Sequence, residues 1–204
     1  MKTGTQVINF SISAKSESVF DSVFTRNGLP LAEFPTTEEL RALEATNPAM
    51  LVGLFVTLEN LQIVLSADKV DACLLRHIPA ATRADGSIDR STERYEETAF
   101  VPVAAEPAAM LRDLLLSEKS YDWQAGNGGR RPQFYLRLRF HRGDDVVALD
   151  FCFMCHVLVV THRGQELGHA NFSPNADLLL QAFLKVFPRD EPLLGLAREA
   201  GLPQ

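Results

Sequence analysis

The chain has 204 residues, 46% hydrophobic and 23% charged, a composition that suits one full globular domain or two small ones. Its formal net charge of −6 and pI near 5.4 argue against general nucleic-acid binding, which needs a basic face. No apolar stretch is long and uninterrupted enough to span a membrane or to serve as a signal peptide. With three cysteines as well, the expectation is a cytoplasmic protein with reduced thiols.

In chain order, Val7–Ile12 reads as a short strand and Ser16 as the cap of a helix that buries Val19, Phe20, Val23 and Phe24. Thr36 and Glu39 form a capping box for a second helix over 37–46, ended by Asn47-Pro48. Met50–Leu58 and Leu61–Leu65 are apolar and lean towards β, with a buried helix over 49–56 as the alternative. Lys69–Ile78 is predicted as a strand. Residues 79–94 lack periodicity and read as a surface loop between an N-terminal α+β half (1–78) and a more regular C-terminal half (95–204) of one domain.

Tyr95–Val103 is predicted as a strand whose Pro102 favours an edge. Glu106-Pro107 opens a helix with Met110, Leu111, Leu114 and Leu115 on its inner face. Trp123 beside Tyr121 reads either as an anchor for that helix end or as an exposed contact residue, and Gly126, Gly128 and Gly129 make the next break. From Gln133 the alternation is plain: Phe134, Leu136, Leu138 and Phe140 on one face, Tyr135, Arg137, Arg139 and His141 on the other. Turns at 142–145 and 163–164 separate this strand from a long one over 146–161 and a third over 165–171. A last helix over 175–187 stops at Pro188. The fold class expected is therefore α+β, an antiparallel sheet with a three-stranded C-terminal meander packed with helices.

The chemistry-bearing string is Cys152-Phe153-Met154-Cys155-His156. Haem attachment, a zinc half-site, a redox dithiol and an ordinary buried strand all fit the letters. In a regular strand Cys152 and Cys155 point to opposite faces, which excludes a shared metal or a disulfide unless a bulge intervenes. The other candidate ligands, Cys73, His77, His141, His162 and His169, lack paired spacing. A redox dithiol belongs at a helix N-terminus, and this motif lies in β-type sequence. The expectation is no metal and no cofactor, with Cys155 a small buried hydrophobe. A nucleophile–base pair of Cys152 and His156 fails as well, since four residues along a strand separate them by about 13 Å.

On the other strand face, two-residue turns place Arg137 opposite Asp150, Tyr135 opposite Cys152 and Asn171 opposite His156, with His169 diagonal to it. This gathers Tyr135, Arg137, Asp150, Cys152, His156 and His169. The plain reading is a half-covered face holding a cross-strand ion pair. The functional alternative is a polar binding surface or cleft.

Residues 98–187 resemble a group of small uncharacterised bacterial proteins that share a helix, a short strand, a hairpin and C-F-x-C in a strand before a leucine-rich helix. Here those features are Leu111–Leu116, Ser120-Tyr121, the strand from Phe134, Cys152-Phe153-Met154-Cys155 and Leu178–Phe187. The resemblance implies no activity. In size and acidity the chain is also similar to immunity proteins of bacterial toxin systems. With no catalytic constellation in the sequence, the expected function is a non-enzymatic protein-binding module, holding a basic partner such as a toxin through Asp85, Asp89, Glu93, Glu96 and Glu97. The alternative is a metal-binding or thiol-redox protein that uses Cys152, Cys155 and His156.

Overall fold

Residues 49–125 and 132–203 are described by the computed structural model of the chain; the strand predicted over 7–12, the helices predicted from Ser16 and over 37–46, and the glycine break at 126–129 lie outside them. The first described elements are helices, α1 (Ala49–Phe55) and α2 (Leu58–Leu65), which corrects the β-leaning expectation for Met50–Leu58 in favour of its helical alternative over 49–56, and that for Leu61–Leu65 outright. Local capping decides it. Thr57 accepts the Asn60 N–H at 3.1 Å, Glu59 lies in the first turn of α2, and the Asn60 side chain donates to the Phe55 carbonyl at 2.9 Å. Leu51, Phe55, Leu58, Leu61, Ile63 and Val64 are all buried, so little polar face exists to reveal the helical period.

The sheet strands are β1 (Lys69–Ile78), β4 (Arg94–Glu97), β5 (Val101–Pro102), β6 (Leu136–Arg142), β7 (Asp145–Cys152), β8 (Val157–His162) and β9 (Gln165–Asn171). All pairs are antiparallel, in the order β4-β1-β6-β7-β8-β9, with β5 also on β1. Together with the helices this is the expected α+β class. The polar segment after β1 holds a small separate hairpin of β2 (Ala81–Thr82) and β3 (Ile88–Asp89). Because β1 pairs with β6, the strand before that segment and the meander after it share one sheet.

Helix α3 (Ala105–Leu115) ends near the fully buried Tyr121, whose hydroxyl donates to the Leu115 carbonyl at 2.7 Å, while Trp123 donates its indole N–H to Glu118. Helix α4 (Ala176–Val186) sets Phe183 edge-on against Phe151, with ring centroids 5.0 Å apart. The core lies between these helices and the sheet's apolar face, where Leu138 pairs with Ala72 and Leu149, and Leu149 with Val160. A final helix, α5 (Glu191–Glu199), was not predicted. Asp190 caps it by accepting the Leu193 N–H at 3.0 Å, and Leu193 and Ala197 form its buried stripe.

The predicted long strand over 146–161 is two strands, β7 and β8, folded back on each other, so the meander has four strands (β6–β9) and not three. The tight turn over 153–156 holds His156 at φ 53°. The Cys152–Cys155 disulfide clips it, with Cα atoms 5.6 Å apart. That overturns the opposite-face argument, which assumed an unbroken strand. It also replaces two of the expected free thiols, and Cys155 is half-buried where a core position was expected.

Candidate functional site

Alternation along β1, β6 and β7 puts their charged residues on one face. Arg137 forks onto Asp150 with both bonds at 2.6 Å, in the register the two-residue turn predicted, and also pairs with Glu97. One layer along, Asp71 is 2% exposed and takes Arg139 at 2.7 and 3.1 Å, Lys69 at 2.9 Å and His141 at 3.1 Å. Burial pushes the Asp71 carboxyl up, but those hydrogen bonds outweigh it and hold it at about 2. Arg139 stacks on Phe100, its Cζ 3.2 Å from the ring centroid. Cys73 is buried on this same face, and desolvation raises its thiol to about 11. Every carboxylate of this layer is saturated by cations, and its thiol stays protonated at neutral pH. The layer is built to hold strands together rather than to move protons.

The other predicted residues scatter. A β-bulge between Val160 and Thr161 shifts β9 by one residue, so Asn171 faces Val157 and His169 faces Val159, not the neighbourhood of His156. His169 is exposed and lies 3.4 Å from Glu166. His156 is in the turn, edge-on to Phe172 at 5.9 Å, and Cys152 is buried in the disulfide. Tyr135 points its hydroxyl at both carboxylate oxygens of Asp190, at 2.8 and 2.9 Å. Among the described residues, no group of three His, Cys, Asp or Glu side chains is placed to hold a metal.

What sequence reading missed is a groove of about 620 Å³. Its origin is a divergence of strands. The Leu75 N–H donates to the Tyr135 carbonyl at 2.7 Å, but among the described residues no backbone bond follows at the next pair in that register, His77 and Gln133. By the two-residue alternation, the N–H and C=O of His77 face the gap. One wall is Leu74 and His77; the other is Phe134 and Tyr135, steadied by the Tyr95 hydroxyl, which accepts the Phe134 N–H at 3.3 Å. Phe153 and Met154 from the clipped turn and Leu196 from α5 complete it. Met154 is 81% exposed, which marks the groove as open.

The rim is charged. Arg76 and His77 line the groove, and each is tied to one of the predicted acidic residues, Arg76 to Glu96 and His77 to Glu93 at 2.9 Å. Glu199 adds a carboxylate from α5 with no ion-pair partner among the described residues. Asp85 and Asp89 are farther out on the β2–β3 hairpin, where Asp85 holds Ser87 and Asp89 holds Arg83 and Ser91. No family model, curated protein or solved structure matches the chain. Among the described residues no helix is long and apolar enough to cross a membrane.

The groove's volume is in the range of small-molecule pockets, and it is partly open to solvent. It combines main-chain groups of His77 that have no backbone partner among the described residues, aromatic and aliphatic walls, and a polar rim. The Tyr135 phenol is pushed up by burial and then by Asp190, so it stays neutral with its proton directed at that carboxylate.

Proposed function

We propose that the chain is a non-enzymatic protein-binding module that holds an extended segment of a basic partner, the service an immunity protein renders against its toxin. The observation that carries this reading is the groove at the divergence of β1 from the approach to β6. An extended segment laid there meets the N–H and C=O of His77, which face the gap without a backbone partner among the described residues, and its alternate side chains reach Phe134, Phe153 and Leu196. Charge selects the partner. Glu93, Glu96, Asp190 and Glu199 stand around the opening with Arg76, Arg94 and His77, four carboxylates to two arginines and a histidine, and the whole chain carries −6. Lysine or arginine flanking an apolar anchor therefore complements the rim, and acidic flanks are repelled.

The test is a titration with two synthetic peptides that share an alternating leucine–phenylalanine core, one flanked by lysines and the other by glutamates. The lysine peptide is expected to bind, to weaken as salt is raised, and to shift the Met154 methyl and Leu196 resonances. Leu196→Asp, at a half-buried position on the rim helix, should abolish binding while leaving the fold intact. Equal binding of the two peptides, or binding undisturbed by Leu196→Asp, refutes the assignment.

One observation favours the thiol-redox alternative, the closed bridge between Cys152 and Cys155. Against it, the pair terminates a strand. Neither cysteine is in the first turn of a helix, the position from which a helix dipole activates redox thiols.

A further inference from the structure

The two residues enclosed by the disulfide, Phe153 and Met154, both line the groove, and they are held very unequally. Phe153 is 6% exposed and sits in an aromatic cluster, 5.3 Å from Phe172 and 6.0 Å from Phe183. Met154 projects into solvent at the rim. The turn that presents it is not a relaxed one. His156 carries a left-handed φ of 53°, unfavourable for a residue with a β-carbon, and its carbonyl is tied down by the Phe172 N–H at 2.8 Å. Across the turn β7 and β8 pair at Cys152 and Val157, and within it the Cys152–Cys155 bond is the tie that chemistry can open.

We propose that this bond is a redox switch on the groove, an inference that rests on the groove being the binding site. Bridged, the turn is fixed and Met154 serves as a wall; reduced, His156 relaxes from its left-handed conformation and the Met154 wall is lost, while Phe153 stays anchored. A small dithiol is the reductant by chemical class. Its thiolate attacks the half-buried Cys155 Sγ, the S–S bond breaks, and Cys152 leaves with the electron pair and takes up a proton. The reductant's second thiol then displaces Cys155 from the mixed disulfide. Two electrons and two protons have reached the protein, and the dithiol departs as a cyclic disulfide. Cys73 takes no part, being buried with its thiol raised. In a reducing compartment such a bridge is held only in exchange with its dithiol form, which is the condition a switch requires.

The experiment measures the affinity of the lysine-flanked peptide for the bridged protein, for the protein in excess dithiothreitol, and for the Cys152→Ser/Cys155→Ser double variant. Binding is expected to weaken at least tenfold in the last two, with faster amide exchange confined to 153–156. By linkage, saturating peptide should also lower the midpoint potential of the pair by about 30 mV for each tenfold preference, which tests the idea on the native chain should the double variant misfold. Equal affinity in the bridged and reduced states, with no shift of potential, overturns the switch and leaves the groove assignment standing. Absence of binding in every state overturns both.

Discussion

Asp71→Asn removes a charge from the centre of the polar layer and changes almost no volume. In the native protein the carboxyl titrates at about 2 against an ordinary value of 3.8. At about 1.4 kcal/mol per pH unit, that gap corresponds to about 2 kcal/mol of stability at neutral pH. The variant also leaves Arg139, Lys69 and His141 facing one another without their counter-ion; Arg139 is 27% exposed and can recruit water, which limits this added cost. A loss of about 2–3 kcal/mol follows, which moves a urea midpoint by about 1 M for a typical slope. Trp123, the single tryptophan, packs 4.9 Å from Tyr121 and reports the transition by fluorescence. The pH dependence carries the sharper test. The folded carboxyl stays ionised after the unfolded one has protonated, so the stabilisation is complete above about pH 4 and is lost as pH falls towards 2. The difference between wild type and Asp71→Asn should therefore shrink over that window, since protonation does to the wild type what the amide does to the variant. A difference that does not change with pH, or a midpoint at pH 7 within about 0.2 M of wild type, refutes the reasoning.

Gly168→Ala places a Cβ 2.7 Å from the Leu54 carbonyl oxygen of α1, so β9 and α1 must move apart; a loss of about 1–3 kcal/mol is expected in the same denaturation assay, and a neutral result would mean the helix yields freely. Thiol labelling at pH 8 should modify no cysteine in the bridged protein, two after mild reduction and all three only after unfolding, because Cys73 is buried with its thiol at about 11. Mass spectrometry reads the count, and rapid labelling of Cys73 in the folded state would contradict the packing of the polar face.

The parts of the fold legible in sequence were those whose determinants are local. β1 matches its predicted range, and the Arg137–Asp150 pairing followed from alternation plus a two-residue turn, with Gly143 at φ 58°. The break at 153–156 was invisible because Phe151-Cys152-Phe153-Met154-Cys155 contains no turn former; a covalent bond and aromatic packing hold the bend. The β9 bulge did leave a signal, Gly168 inside the strand beside the shift, which strict alternation passed over; the shift moved His169 away from its expected register with Leu158. Helix α5 does carry a signal, Asp190 as cap with Pro192 in the first turn and Leu193 and Ala197 one helical turn apart, but Pro188 just before it also marks the end of α4 and masks the restart. The groove draws on residues near 75, 134, 153 and 196, which no local pattern connects.

The position of β1 between β4 and β6 has a kinetic side. Asp71 and Arg139 are 68 residues apart, whereas β6, β7, β8 and β9 follow one another through short turns. Closing that long loop costs chain entropy before any contact repays it, so the meander forms ahead of the strand it flanks. In a nascent chain β4 and β5 can pair with one edge of β1 soon after it is made, but the edge that takes β6 stays open until β6 arrives. During that interval the acidic residues of 85–97, which later line the sheet's edge and the hairpin beside it, act as solubilising neighbours in sequence, keeping that open edge from finding another copy of itself.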